Sequence, residues 1–260
     1  MMNRRFLWKF ILLLPVLFLI GVFPSWAQEK IYINGIDANF PPFAFVDKNG
    51  IPDGFDVKAL DWIAKEMGFK VEHQPIAWDG IVSSLIGKEI DLIASGMSIT
   101  GERKKQVYFT IPYWKIRQVL IVRKDSKVTR KTAMAHHNKI GVQQDTMEAR
   151  WIDENLIKKA RKKFTLVYYD STPMAIEDVI SGRIDAAVTN DASARDAVKK
   201  ASIMILGTFG MPDEQFGYAV RPEDRELLKE LNTGLKRLMV SPYWNELKAK
   251  YIINKSEKNS

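Results

Sequence analysis

A short unit occurs twice in this chain and constrains its fold more than any other feature. Ile86-Gly87-Lys88-Glu89-Ile90-Asp91-Leu92-Ile93-Ala94 resembles Ile180-Ser181-Gly182-Arg183-Ile184-Asp185-Ala186-Ala187-Val188. In each copy a helix pattern stops at or beside a glycine, a basic residue follows, and Ile-Asp opens an apolar strand. Gly-basic-Ile-Asp also recurs by chance in α/β proteins, so the pair suggests two lobes of similar build without proving them. Each strand then ends in polar residues, Ser95-Gly96 in one copy and Thr189-Asn190 in the other. Ligands in open α/β sheets bind beyond the carboxyl ends of the strands. Two such ends facing each other make a cleft.

The rest of the chain alternates strand and helix, which argues for layered α/β structure. Ile31 to Ala38 reads as a strand, and Pro41-Pro42 turns the backbone sharply out of it. Val57, Leu60, Ile63, Ala64 and Met67 repeat at helical spacing over Phe55 to Met67, with Gly68 as the stop. Val71 to Gln74 reads as a second strand and Trp78 to Gly87 as a second helix.

Several residues near the strand ends suit recognition of a small anion. The run Ile90 to Ala94 breaks into Ser95, Gly96, Ser98 and Thr100, then into a polar helix start carrying Arg103. Free amides, hydroxyls and a guanidinium aimed together would hold a carboxylate. The competing reading is a loop whose Arg103 faces solvent. Asp145-Thr146-Met147-Glu148 opens a helix after the strand Lys139 to Gln143, with Asp145 and Glu148 spaced like a capping box. Its amides would meet the far side of the same carboxylate, or serve as an ordinary cap. Phe40, Phe43 and Trp78 supply either apolar pocket walls or core.

Arg4, Arg5 and Lys9 precede an apolar run from Phe10 to Phe23, followed by Pro24 and Ser25-Trp26-Ala27. This is the pattern of a secretory signal peptide, residues 1–27, cleaved after Ala27. The alternative is an uncleaved anchor. The chain has no cysteine, which excludes a disulfide framework and a lipid anchor on an N-terminal cysteine. An exported chain without an anchor fits the periplasm of a Gram-negative cell. The formal charge of +8 loses three units with the leader cations. The densest basic stretch, Lys158, Lys159, Arg161, Lys162 and Lys163, reads as a solvated helix face, and no nucleic-acid partner is expected.

In order along the chain, these pieces resemble the family 3 extracellular solute-binding proteins, the polar-amino-acid receptors of ABC importers. The resemblance is carried by Gly35-Ile36-Asp37-Ala38-Asn39-Phe40-Pro41-Pro42-Phe43, Gly54-Phe55-Asp56-Val57 and Trp78-Asp79-Gly80-Ile81. It continues through Ile90 to Arg103, Phe109-Thr110-Ile111-Pro112-Tyr113, Ile140-Gly141-Val142-Gln143, Gly182-Arg183-Ile184-Asp185-Ala186 and Phe216-Gly217-Tyr218-Ala219-Val220.

It implies a two-lobe periplasmic binding protein fold of α/β class, with two hinge strands and an interlobe ligand cleft. Residues 28–117 and 214–260 would form lobe 1, and residues 118–213 lobe 2. Hinge closure would trap a small polar amino acid or related carboxylate and deliver it, as a monomer, to ABC permease subunits. Carried over by position, Arg103 would clamp the ligand α-carboxylate with Ser98 and the Thr146 amide. Ser95 and Gly96 would hold the α-ammonium, Asp37 would face the side chain, and Phe40 and Trp78 would sandwich it.

Two positions depart from the pattern. Where relatives that bind α-amino acids usually place an aspartate on the ammonium, this chain has Asn190, followed by Asp191. Where they often have glycine before the lobe-two threonine, it has Asp145, the better placed substitute for the missing charge. The same fold also serves a periplasmic dehydratase acting on prephenate or arogenate, for which Asp145, Glu148, Asp191 or His137 would have to act as general acid. A sensing module docked on a signalling receptor is a third reading. His73, His136 and His137 are too scattered for a metal site, and no nucleophile elbow is present. The expectation is a binder without catalysis, metal or cofactor.

Overall fold

A computed structural model describes residues 30–135 and 137–253. The leader and His136 lie outside them. Two five-stranded sheets carry the fold, and in each three parallel strands are followed by an antiparallel strand and an edge strand. In the first, Lys70–Pro75, Ile31–Ile36 and Leu92–Ile93 run parallel. Ala219–Val220 follows antiparallel, then Tyr108–Phe109 at the edge. In the second, Thr165–Tyr169, Lys139–Gln143 and Ala186–Asn190 run parallel. Gln118–Arg123 follows antiparallel, then Ile203–Thr208 at the edge. The two α/β lobes implied by the resemblance are present.

The repeated Ile-Asp does the same structural work in each lobe. The Asp91 amide donates to Ile33 O at 2.7 Å, and Asp91 Oδ2 accepts the Ile33 amide at 2.9 Å. Asp185 clasps Lys139 in the same two-point way, at 3.0 and 2.8 Å. Each aspartate therefore fixes the register of the central strand against its neighbour. The isoleucine before it covers a glycine two residues farther along that strand. A Cβ on Gly35 would lie 2.3 Å from Ile90 Cδ1, and one on Gly141 would lie 2.6 Å from Ile184 Cδ1. Glycine leaves the room that the isoleucine fills.

Both faces of the second sheet are covered, as parallel sheets require. Val119 and Ile121 pack to one side with Val179 and Ile184, while Leu120 and Val122 pack to the other with Ile140 and Val142. The helix Phe55–Met67 has the expected bounds and ends in a left-handed Gly68, whose amide bonds Ala64 O. It packs in the first lobe against the C-terminal helix Arg225–Val240. Gly234 allows close approach there, since a Cβ would lie 2.4 Å from Ile63 Cγ2.

The expected helix Trp78 to Gly87 differs. It divides into a 3-10 turn, Trp78–Gly80, and a helix, Ile81–Ile86. Lys158, Lys159, Arg161, Lys162 and Lys163 are all exposed. No described helix is long and apolar enough to cross a membrane.

The strand Trp114–Ile116 pairs with Glu214–Phe216, and the chain passes directly from Ile116 into Gln118–Arg123 of the second sheet. These connections bring the carboxyl ends of both sets of parallel strands to one cleft.

Candidate functional site

A narrow cavity lies between the lobes. Among the residues expected from the sequence, Asp37, Phe40, Trp78, Gly96, Ser98, Arg103, Thr146 and Asn190 line it. Ser95 and Asp145 do not. Gln118, Gln143, Met147, Glu148 and Phe216 complete the wall.

The lobes are closed over this space. Gln143 Nε2 donates to Asp37 Oδ2 at 2.8 Å, and Ser193 Oγ donates to Pro41 O at 2.7 Å. Glu102 and Arg150 form an ion pair across the mouth. The Asp145 carbonyl accepts from Trp78 Nε1 at 3.3 Å and from Arg103 Nη2 at 3.1 Å. First-lobe side chains thus hold the start of a second-lobe helix.

Arg103 sits in a single 3-10 turn, Arg103–Lys105, instead of opening a longer helix. The polar Arg103-Lys104-Lys105 run has no apolar stripe to bury, so nothing prolongs the turn. Its amide donates to Thr100 Oγ1 and its Nη1 to Ser98 O. The guanidinium carbon lies 5.3 Å from the Trp78 ring centre, within cation–π range. Burial lowers its pKa below the ordinary arginine value, opposed by the charges of Glu148, Glu214 and Asp145.

Phe40 is stacked on Phe43 with ring centres 5.6 Å apart, which braces it as a wall. Phe43 itself is core. Gly96 has φ of 61°, and a Cβ there would lie 2.5 Å from Phe40 Cε1. Its amide donates to Asp56 Oδ2 at 2.6 Å, and Tyr113 Oη donates to the same oxygen at 2.7 Å. Full burial pushes the Asp56 carboxyl up to about 7 against these two donors.

Of the side chains expected near an ammonium, those of Ser95 and Asn190 have other partners. Ser95 Oγ accepts the Asp37 amide at 2.9 Å. Asn190 caps the helix Asp191–Lys200: Oδ1 accepts the Ser193 amide, and Nδ2 donates to Ser193 Oγ. Asp145 is exposed, with φ of 55°. This left-handed backbone suits glycine and is tolerated by aspartate.

The expected capping box also differs. Thr146 is the cap, with Oγ1 accepting the Ala149 amide at 3.2 Å. Glu148 is freed to face the cavity, buried at 8% exposure. Ser98 Oγ donates to Glu214 Oε2 at 2.5 Å, so its hydrogen is committed there. Burial pushes the Glu148 carboxyl well above its ordinary range, and the charge of Glu214 adds to the effect. Burial raises Glu214 as well.

Gln118, Gln143 and Glu214 are absent from the expected set. Gln118 and Gln143 bound otherwise apolar stretches, Val119 to Val122 and Ile140 to Val142, and a polar residue at the end of a buried strand was the available signal. No group of three or more potential metal ligands occurs among the described residues.

Residues 32–254 match the bacterial extracellular solute-binding proteins, family 3. A probable histidine-binding protein of Neisseria gonorrhoeae is 31% identical over 88% of this chain and 85% of its own length. ABC transporter arginine-binding protein 1 of Escherichia coli K12 is 32% identical over 86% of this chain and 91% of its own. Among solved structures, an ancestral amino-acid-binding protein, a precursor of cyclohexadienyl dehydratase, aligns with a TM-score of 0.79 at 33% identity. That alignment covers 86% of this chain and 96% of the other. With the match spanning both lobes and the cleft between them, this chain belongs to the family 3 bacterial extracellular solute-binding proteins.

Proposed function

We propose that this protein captures a free amino acid between its lobes and presents it to the membrane subunits of an ABC importer. The observation that carries the reading is Arg103, held by Ser98 O and the Asp145 carbonyl while it lines a closed cavity. A guanidinium has five N–H donors, so two such bonds leave donors for a ligand carboxylate. The Thr146 amide would meet the same carboxylate from the second lobe. Phe40 and Trp78 would flank the side chain, and Asp37 would face its polar end. The relatives named for histidine and arginine support an amino acid.

In this reading residues 28–117 and 214–260 form one lobe and 118–213 the other, and they part about the hinge strands to admit the ligand. The mature protein acts as a monomer in the periplasm after cleavage behind Ala27. A thermal-shift screen of the mature chain against the common amino acids tests the proposal. A ligand at 100 times its dissociation constant should add about 2.7 kcal/mol of stability. No shift with any amino acid would overturn it.

One observation favours a second reading. Glu148 is a carboxylic acid held protonated near neutral pH by burial, beside a carboxylate clamp, as a general acid would be. Incubation with prephenate separates the two: formation of a dehydrated product supports the enzyme, and unchanged prephenate supports the binder.

A further inference from the structure

One wall of the cavity carries acceptors that form no ion pair among the described residues. Gln118 is 3% exposed and lines the cavity, and its Oε1 is buried without a hydrogen-bond partner. Its Nε2 donates to Glu214 Oε1 at 3.0 Å and to Glu148 Oε2 at 3.3 Å. Two buried carboxyls therefore share one amide, and the amide oxygen receives nothing. Such groups call for a partner that brings several donors and a positive charge. A primary ammonium has three donors and no acceptor.

Several other polar side chains around the cavity are engaged. Both polar atoms of Asn190 are tied to Ser193, and Ser95 Oγ is tied to Asp37. The Asp37 carboxylate accepts from Gln143 and from the Asn39 amide. Arg103 and Glu148 lie near enough for each to feel the other's charge. Both line the same cavity, so a single zwitterion can address the guanidinium with its carboxylate and the acid with its ammonium.

We propose that Glu148 and Gln118, in place of Asn190, receive the α-ammonium of the ligand. The assignment rests on the reading of the ligand as an amino acid clamped by Arg103. It makes Glu148 a specificity-determining residue that separates amino acids from simple carboxylates. It also couples binding to a proton. The charged groups facing Glu148 are Glu214 from the hinge strand and Arg103 from the first lobe. Burial favours a proton on the acid pair in the unliganded cavity, and an arriving ammonium would displace it. Affinity should then rise with pH through the neutral range, up to the point where the ligand ammonium itself deprotonates.

Calorimetry with L-arginine, L-histidine and their deaminated carboxylates, in two buffers of different protonation enthalpy, tests this. In Glu148→Gln, affinity for the amino acids should fall at least about tenfold, the share of a charge-assisted bond. Affinity for the deaminated compounds should hold, and proton release should vanish. Glu148→Asp pulls the charge back by one methylene and should lose part of the same preference, which covers a glutamine variant that does not fold. A Glu148→Gln protein that binds the amino acids like the wild type overturns this assignment alone. A wild type that binds neither amino acid nor deaminated compound overturns the amino-acid reading with it.

Discussion

Gln143 of the second lobe donates its side-chain N–H to the buried carboxylate of Asp37 in the first, at 2.8 Å. Gln143 is itself held by Thr172 Oγ1 and the Asp170 carbonyl, so the bridge is braced on the second-lobe side. It acts as a latch on the closed form.

Gln143→Glu places a carboxylate against Asp37, and like charges in contact at an interface cost several kcal/mol. The variant should open the cleft. Small-angle scattering should give a larger radius of gyration than wild type, and ligand affinity should fall by roughly tenfold or more. Equal dimensions for the two proteins would remove the latch.

The Trp78 ring lines the cavity beneath the Arg103 guanidinium. Saturating ligand should therefore change tryptophan emission. Of the seven tryptophans, Trp8 and Trp26 lie in the segment proposed to be cleaved. Trp78→Phe should lose most of the ligand-induced change. A variant that retains all of it would place the ligand elsewhere.

Asp145 contributes its backbone carbonyl to the cleft, with its side chain exposed. Asp145→Asn should change affinity by no more than about 0.5 kcal/mol, the usual range for a surface substitution. Asp145→Gly should relieve the left-handed backbone and raise stability by up to about 1 kcal/mol, read from the melting temperature. A large affinity loss in Asp145→Asn would return the carboxylate to the site.

Asp56 holds its proton to about pH 7 because burial disfavours its charge. The unfolded chain releases that proton near the ordinary aspartate value. Between the two, the folded state binds more protons, so this group's contribution falls as pH rises from about 4 to about 7. The loss is up to about 4 kcal/mol, at about 1.4 kcal/mol for each pKa unit. Asp56→Asn keeps an acceptor for Gly96 and Tyr113 and should remove this slope. Denaturant melts of both proteins across pH give the difference; parallel profiles would mean that Asp56 is ionised throughout.

The repeat was legible because its cues are local. Glycine stops, apolar runs and Ile-Asp can be read within ten residues, and the structure shows what the aspartates do. Arg103 was legible as a cleft residue but not as part of a 3-10 turn, because hydrophobic periodicity says little about a polar segment. Glu148 was legible as a capping partner and as one of four candidate acids of the enzyme reading, not as a wall of a binding cavity: Asp145 and Thr146 are adjacent cap candidates, and moving the cap by one residue turns Glu148 inward. Gln118 and Glu214 meet across 96 residues of sequence. Their pairing depends on how the hinge strands register, which no local pattern encodes. Asn190 illustrates the same limit: its type was noted, but only the fold shows its side chain spent on Ser193.

The central claim is that Arg103 holds the carboxylate of an amino acid in the closed cleft. Calorimetric titration of wild type and Arg103→Ala, side by side with L-arginine and L-histidine, tests it most directly. The wild type should bind at least one of them saturably, one ligand per chain. Arg103→Ala should lose about 2–5 kcal/mol of that binding while melting cooperatively, because a buried carboxylate would lose its charge partner. Arg103→Lys should recover only part, since an ammonium cannot reproduce the planar fork. Near-normal affinity in a folded Arg103→Ala protein would contradict the account.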